Sequence, residues 1–272
     1  MPDAMDKVSI LVDNNAQEGL AAEHGLSLLI ESGGRRVLFD AGQETLRGNA
    51  AKMGVDLSRL DAIVLSHGHY DHSKGLKNCA GNIPIYCRPS VKATRFSIHD
   101  GVAKDISMPR HSKLAMELSQ VNYVEEPMRI FGNFWLSGGI PRLCAWEDAG
   151  GPFYLDKEGV EKDMIEDDMA LWLWTPQGLI VCLGCCHSGL INTLSHIRTL
   201  CPKEHIRAII GGLHLLHANE ERLSKTISAL RQFSPDSMAP CHCSSDAAVK
   251  LLSAAFGGIV RPGKAGMTLE FN

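Results

Sequence analysis

Leu60-Asp61-Ala62-Ile63-Val64-Leu65-Ser66-His67-Gly68-His69-Tyr70-Asp71-His72-Ser73 is the stretch that decides how this chain is read. A short apolar run of strand length stops at Ser66 and gives way to four potential metal ligands within six residues, His67, His69, Asp71 and His72. A tight loop at a strand's end can turn alternate side chains inward. The spacing therefore lets His67 and His69 share one cation while Asp71 and His72 reach a neighbouring one. Imidazole nitrogen with carboxylate oxygen suits Zn2+ first, with Fe or Mn as alternatives, and a mixed N/O set points to a catalytic rather than a purely structural ion.

The pattern on either side of this loop occurs twice. Leu26–Ile30 and Arg36–Asp40, separated by Ser32-Gly33-Gly34, read as a hairpin, followed by a helix over Leu46–Met53, the strand before Ser66, and a strand at Ile83–Cys87. The same order returns as a hairpin of Met169–Trp174 and Leu179–Leu183, a helix over Leu190–Leu200, and strands at Ile206–Ile210 and Met238–Cys241. This predicts one α+β domain of two pseudo-repeated halves, about 8–91 and 166–272, packed as an αβ/βα four-layer sandwich with two mixed sheets face to face and helices outside. Residues 92–165 are expected to form a lid or substrate-facing insertion, with Phe131–Leu136 as one strand.

The repeat also says where further ligands belong. His187 follows the second hairpin where Asp40 follows the first, and His242 caps the strand equivalent to Ile83–Cys87, so both are expected at the edge that carries His67. Cys185 is either a thiolate ligand or a buried residue beside the site. Asp168 is a weaker oxygen-ligand candidate, the competing reading being a solvated turn. His214, in the loop that mirrors the metal loop, is a candidate proton donor or anion holder, with a core histidine as the alternative. His24 precedes the first hairpin and is a candidate substrate contact, as is His111. Arg88, Lys92, Arg95 and Arg110 are read as exposed charge that could also meet an anion. His217 is read as a helix cap, and His196 and His205 as surface residues.

Composition narrows the function class. The 272 residues carry Lys+Arg 27 against Asp+Glu 31, a net charge of −4, which offers no basic face for a phosphate backbone; nucleic acid is not expected as a partner. The longest apolar run, 178–186, falls well short of a membrane helix, and Met1–Lys7 lacks the order of an export signal, so a cytoplasmic protein without a membrane partner is expected. Nine cysteines, an odd number with two adjacent at 185 and 186, read as reduced thiols; Cys79, Cys87, Cys144, Cys182 and Cys201 are expected to pack as small apolar residues.

With these residues in place, His67-x-His69-x-Asp71-His72 after a strand, Asp40 at an earlier strand end, and the later His187 and His242 resemble the metallo-β-lactamase superfamily over nearly the whole chain. Gly184-Cys185-Cys186-His187-Ser188-Gly189 and Pro240-Cys241-His242-Cys243 are similar to a subgroup named as metal-dependent hydrolases or as dihydropterin-ribofuranosylaminobenzene phosphate synthases. The resemblance implies one or two ions at the sheet edge, His67, His69 and His187 holding one and Asp71, His72 and His242 the other. It implies a hydrolase in which metal-activated water, oriented by Asp71, attacks an ester or phosphoester of a small anionic substrate, with Asp40 steadying a ligand loop from behind. A pterin-related condensation and a non-catalytic sensor on the same fold are the alternatives. Two departures accompany it: no histidine lies between His111 and His187, and Gly184-Cys185 stands where Gly-Asp is common.

Overall fold

Strand residues in this chain alternate between two cores, and that alternation builds the layers. The computed structural model describes residues 5–79 and 81–272; residues 1–4, part of the stretch read for an export signal, lie outside it. The chain opens with β1 (Asp6–Val12) and the hairpin β2 (Ser27–Ser32) and β3 (Arg35–Phe39), then runs through α1 (Leu46–Lys52), β4 (Ala62–Val64), α2 (Tyr70–Ser73) and β5 (Ile85–Cys87). The middle holds β6 (Phe96–His99), β7 (Val102–Asp105), α3 (Arg110–Glu117), β8 (Val121–Tyr123), β9 (Met128–Phe131), β10 (Phe134–Leu136) and β11 (Phe153–Tyr154). The last part holds β12 (Leu171–Thr175), β13 (Gly178–Leu183), α4 (Leu190–Leu200), β14 (Ile206–Gly212), α5 (Glu220–Phe233), β15 (Ser237–Cys241), α6 (Asp246–Phe256) and β16 (Thr268–Phe271).

A seven-stranded sheet, ordered β16-β1-β2-β3-β4-β5-β8, faces a six-stranded one, ordered β15-β14-β13-β12-β10-β9. Val37 and Phe39 of β3 point into the core between the sheets while Leu38 points outward; in β13, Ile180 and Cys182 point inward and Leu179, Val181 and Leu183 outward. The outward sets are covered by α1 on one side and by α4, α5 and α6 on the other. Each aliphatic side chain so buried contributes about 1.5–3 kcal/mol. β3, β4, β5 and β8 run parallel, as do β13, β14 and β15, so their carboxyl ends gather along one edge.

Several expectations are revised here. Phe131–Leu136 is not one strand: Gly132 and Asn133 turn the chain, so that β9 pairs back on β10. β1 and β16 were not anticipated; β1 joins the first sheet between β2 and β16, and its end carries Asp13 and Asn14 to the site edge. The stretch 92–165 divides: β8 extends the first sheet, β9 and β10 the second, and only β6, β7 and β11 form a separate three-stranded sheet over the edge. His217 does not cap α5; Asn219 does, accepting from the amide of Arg222. His196 donates inward to the Ser137 carbonyl, whereas His205 is exposed beside Asp236.

Arg95 is not exposed charge. It is 1% accessible, with Nε 2.7 Å from Asp163 Oδ2 and its two terminal nitrogens 2.6 and 2.9 Å from the oxygens of Asp167. Asp167 Oδ2 also accepts the amide of Gly68, inside the metal loop, at 2.8 Å. The pairing therefore joins the small sheet, the segment before β12 and the ligand loop. Breaking a buried pair from one side leaves uncompensated charge. Arg95→Met is expected to cost about 3–5 kcal/mol in urea denaturation, well beyond what an exposed arginine would contribute.

Candidate metal centre

Three imidazoles form a triangle at the sheet edge. Ring centroids are 4.5 Å apart for His67 and His69, 4.7 Å for His67 and His187, and 4.9 Å for His69 and His187. All three rings are buried, and the Nε2 atom of each has no hydrogen-bond partner. Unpartnered buried polar atoms are costly, and three converging ones form a donor set that could hold an ion. Two of the far nitrogens are spoken for: His187 Nδ1 donates to the Ala149 carbonyl at 2.8 Å, and His67 Nδ1 lies 2.9 Å from Ser66 Oγ, whose own proton goes to Asp40 at 2.7 Å. These acceptors put the ring protons of His67 and His187 on Nδ1 and leave the Nε2 lone pairs facing one another, which is the state a metal needs. Burial, with the neighbouring imidazoles adding to it, holds His67 and His187 well below the ordinary imidazole range, and burial does the same for His69.

A second cluster lies against the first. His72 Nε2 is 3.1 Å from His242 Nε2 and 3.8 Å from Asp71 Oδ2, and His242 Nε2 is 3.4 Å from that oxygen. His72 Nδ1 is 2.7 Å from Asp40 Oδ2, and His242 Nδ1 is 2.9 Å from Asn14 Oδ1. The amide of His242 donates to Asp13 Oδ1 at 2.7 Å. Burial pushes Asp71 up, but His72, His24 and His242 outweigh it and hold the carboxyl well below its usual range. Burial likewise pushes His72 down, yet the carboxylates of Asp40 and Asp71 raise it to about 9.

The remaining expected residues divide. Cys185 is buried with Sγ 3.1 Å from His72 Nε2. His214 is buried, its ring 4.2 Å from that of His187, in a left-handed backbone conformation at φ 48°. Gly150 crosses directly over that ring, where a Cβ would meet Cδ2 at 1.7 Å. His24 sits at the mouth, with Nε2 3.2 Å from Asp71 Oδ2. Asp168 is not in a solvated turn: it is buried and accepts the amide of Ser188 at 2.7 Å, beside His187. His111 is not brought to the site; its Nε2 lies 3.1 Å from the Lys74 carbonyl, tying α3 to the segment after the loop. The cavity over the centre has a volume of 260 Å³, and Phe153 of the small sheet forms a wall, its ring 5.4 Å from His69 and 5.3 Å from His187.

Residues 21–109, which hold Asp40 and the His67–His72 loop, match the model of the metallo-beta-lactamase superfamily. An uncharacterized protein of Methanocaldococcus jannaschii is 34% identical over 251 residues, covering 90% of this chain and 93% of that one. The chain belongs to the metallo-β-lactamase superfamily. The fold agrees: a crystal structure described as a metal-dependent hydrolase of the beta-lactamase superfamily superposes with TM-score 0.87 at 29% identity, over 98% of this chain and 99% of that one. A second M. jannaschii relative, 29% identical over 238 residues and covering 82% of this chain and 81% of that one, is named 7,8-dihydropterin-6-methyl-4-(β-D-ribofuranosyl)-aminobenzene-5′-phosphate synthase.

Within this superfamily site, Asp13, Asn14, Cys243 and Phe153 are contributors to which the sequence reading gave no role, although Leu11–Asn15 and Pro240–Cys243 belong to the stretches that carry the subgroup resemblance. Asp13 and Asn14 had a usable signal, two polar residues directly after the apolar run Ile10–Val12. Phe153 had none, because its role depends on how the small sheet folds back.

Two outcomes are expected. Asp40→Asn, which keeps size but weakens the hold on His72 and Ser66, should lower metal affinity about 10–100-fold in competition with a chelator. An ion taken by Asp71, His72 and His242 must displace the proton that His72 carries, so its affinity should rise about tenfold per pH unit between the ordinary 6.5 and about 9, then level off. An ion on His67, His69 and His187 should show a shallower rise, because these imidazoles are already neutral and release no proton above pH 6.5. Chelator titrations over that range would separate the two.

Proposed function

We propose that the protein is a metal-dependent hydrolase acting on an ester or phosphoester of a small anionic substrate, with Zn2+ first and Fe or Mn as alternatives. The observation that carries this reading is the pair of adjoining donor sets, one of three neutral imidazoles with free Nε2 atoms and one of two imidazoles and an ionised carboxylate, opening into one cavity. His67, His69 and His187 would hold one ion and Asp71, His72 and His242 a second; ions there would supply Lewis acidity and lower the pKa of water toward about 7.

The chain's own groups fit the rest of the task. Asp71, kept ionised at the mouth, orients a water. His24, raised by its hydrogen bond to Asp71, steadies that carboxylate from the solvent side. His214 donates to the leaving group: burial lowers it, but Cys243 outweighs this and raises it, so the ring keeps a proton at higher pH. Lys104, His99 and His217 line the cavity and would meet a negative substrate. A second reading, pterin-related condensation, is favoured by the M. jannaschii synthase and by the flat Phe153 wall that a planar ring would stack on.

Wild type should carry metal by elemental analysis, and His69→Ala and His242→Ala should each lose an ion and more than about 100-fold in kcat/KM on an ester and phosphodiester panel. Unchanged stoichiometry in both variants would sink the ligand assignment. Product formed from a dihydropterin and a ribofuranosylaminobenzene phosphate, with no ester turnover, would favour the condensation. A ligand-induced thermal shift without any turnover would favour a sensor.

A further inference from the structure

Cys185 stands where the two donor sets meet. Its Sγ and ring nitrogens of His67 and His187 all lie within 4.8 Å of one another, and so do its Sγ and ring nitrogens of His72 and His242. Among the described residues, three of the four clusters of three ligand atoms this close share Cys185. The side chain is 4% accessible and belongs to the cavity lining rather than to the apolar cores.

The backbone is shaped to put it there. Gly184 has no side chain because a Cβ would meet Ser66 Oγ at 2.1 Å, so the end of β13 comes directly against the ligand loop. Cys186 then takes a left-handed conformation at φ 64°, which sends its own side chain into the outer core, near Thr193. Adjacent cysteines thus diverge, one to packing and one to the centre. Cys243, the other sulfur nearby, is held by the backbone: its Sγ accepts the amide of His214 at 3.3 Å and lies 3.4 Å from the Cys185 carbonyl oxygen.

Charge points the same way. Of the six residues in the two sets, Asp71 alone is anionic, against four positive charges on two divalent ions. We propose that the Cys185 thiolate is the ligand shared by the two ions. This rests on the two-ion reading given above and deepens it. A shared thiolate adds a second negative charge between the ions, and its softness selects Zn2+, Fe2+ or Co2+ over Mg2+ or Ca2+. It also makes the centre oxidisable in a way that a carboxylate would not.

Cobalt tests this without any assay of activity. The full chain loaded with Co2+ should hold two ions by elemental analysis and show an intense near-ultraviolet thiolate-to-cobalt charge-transfer band. The band should persist in Cys243→Ser and vanish in Cys185→Ser, while Cys185→Asp should keep both ions without it. X-ray absorption on the wild type should find on average one sulfur neighbour per cobalt. Cobalt bound without the band, or a band that survives Cys185→Ser, would overturn the thiolate ligand and leave the metal centre standing. An average of half a sulfur per cobalt would put the thiolate on one ion and overturn the sharing. A wild type that takes up no cobalt would overturn both readings. The wild-type spectra decide the matter even if Cys185→Ser fails to fold.

Discussion

A single buried carboxylate fixes the ligand loop. Asp40 is fully buried in a left-handed conformation at φ 60°, just past β3. Its side chain accepts the amide of Ser66, the hydroxyl of Ser66 and Nδ1 of His72, each at 2.7 Å. Both ends of the loop are therefore tied to one group, and through Ser66 the tie extends to His67. An ionised carboxylate in such a place is tolerable only with this many donors, so the loop and the charge stabilise each other. Gly184, whose Cβ would fall 3.1 Å from Asp40 Oδ2, brings the second half of the chain against the same point.

Strain collects around that point. Asp40, Cys186, His214 and His242 all have positive φ without being glycine, and each lies at the carboxyl end of a strand that feeds the site. Such conformations cost on the order of 1–3 kcal/mol each and persist only where the surroundings leave no alternative. Here the surroundings are two stacked sheets with their apolar layers, which fix the strand ends before the turns begin. The packing of Val37, Phe39, Ile180 and Ile210 is thus what holds the imidazoles at their separations.

The parts legible in the sequence are those governed by local pattern. Short apolar runs bounded by turn residues, and their recurrence, marked β2, β3, β13 and β14, the glycine pair marked the first turn, and the density of ligands after Leu65 marked the loop. The repeated order of elements carried His187 and His242 to the right edge, because parallel strands of similar length end together. What was not legible depends on distant chain. Arg95 reads as surface charge until Asp163 and Asp167 close on it from about seventy residues away. His111 looked like a pocket residue because of its type, but α3 turns it to a backbone carbonyl. Phe153 becomes a cavity wall only through β11 pairing with β6.

The two donor sets differ in the state they hold before any ion arrives. Burial outweighs the pull of Asp71 on His67 and His69 and keeps these two and His187 neutral, with two of their protons pinned on the outer nitrogens by Ser66 and Ala149. His72 is wedged between Asp40 and Asp71 and holds its proton to about 9. At neutral pH an ion meets no competing proton in the first set and meets one in the second. On the two-ion reading an ion would therefore enter at the three imidazoles first, and its charge, acting through the low-dielectric interior on His72, would help to expel the proton that bars the second. The same carboxylate that fixes the loop would thus also set the order in which such a centre is assembled.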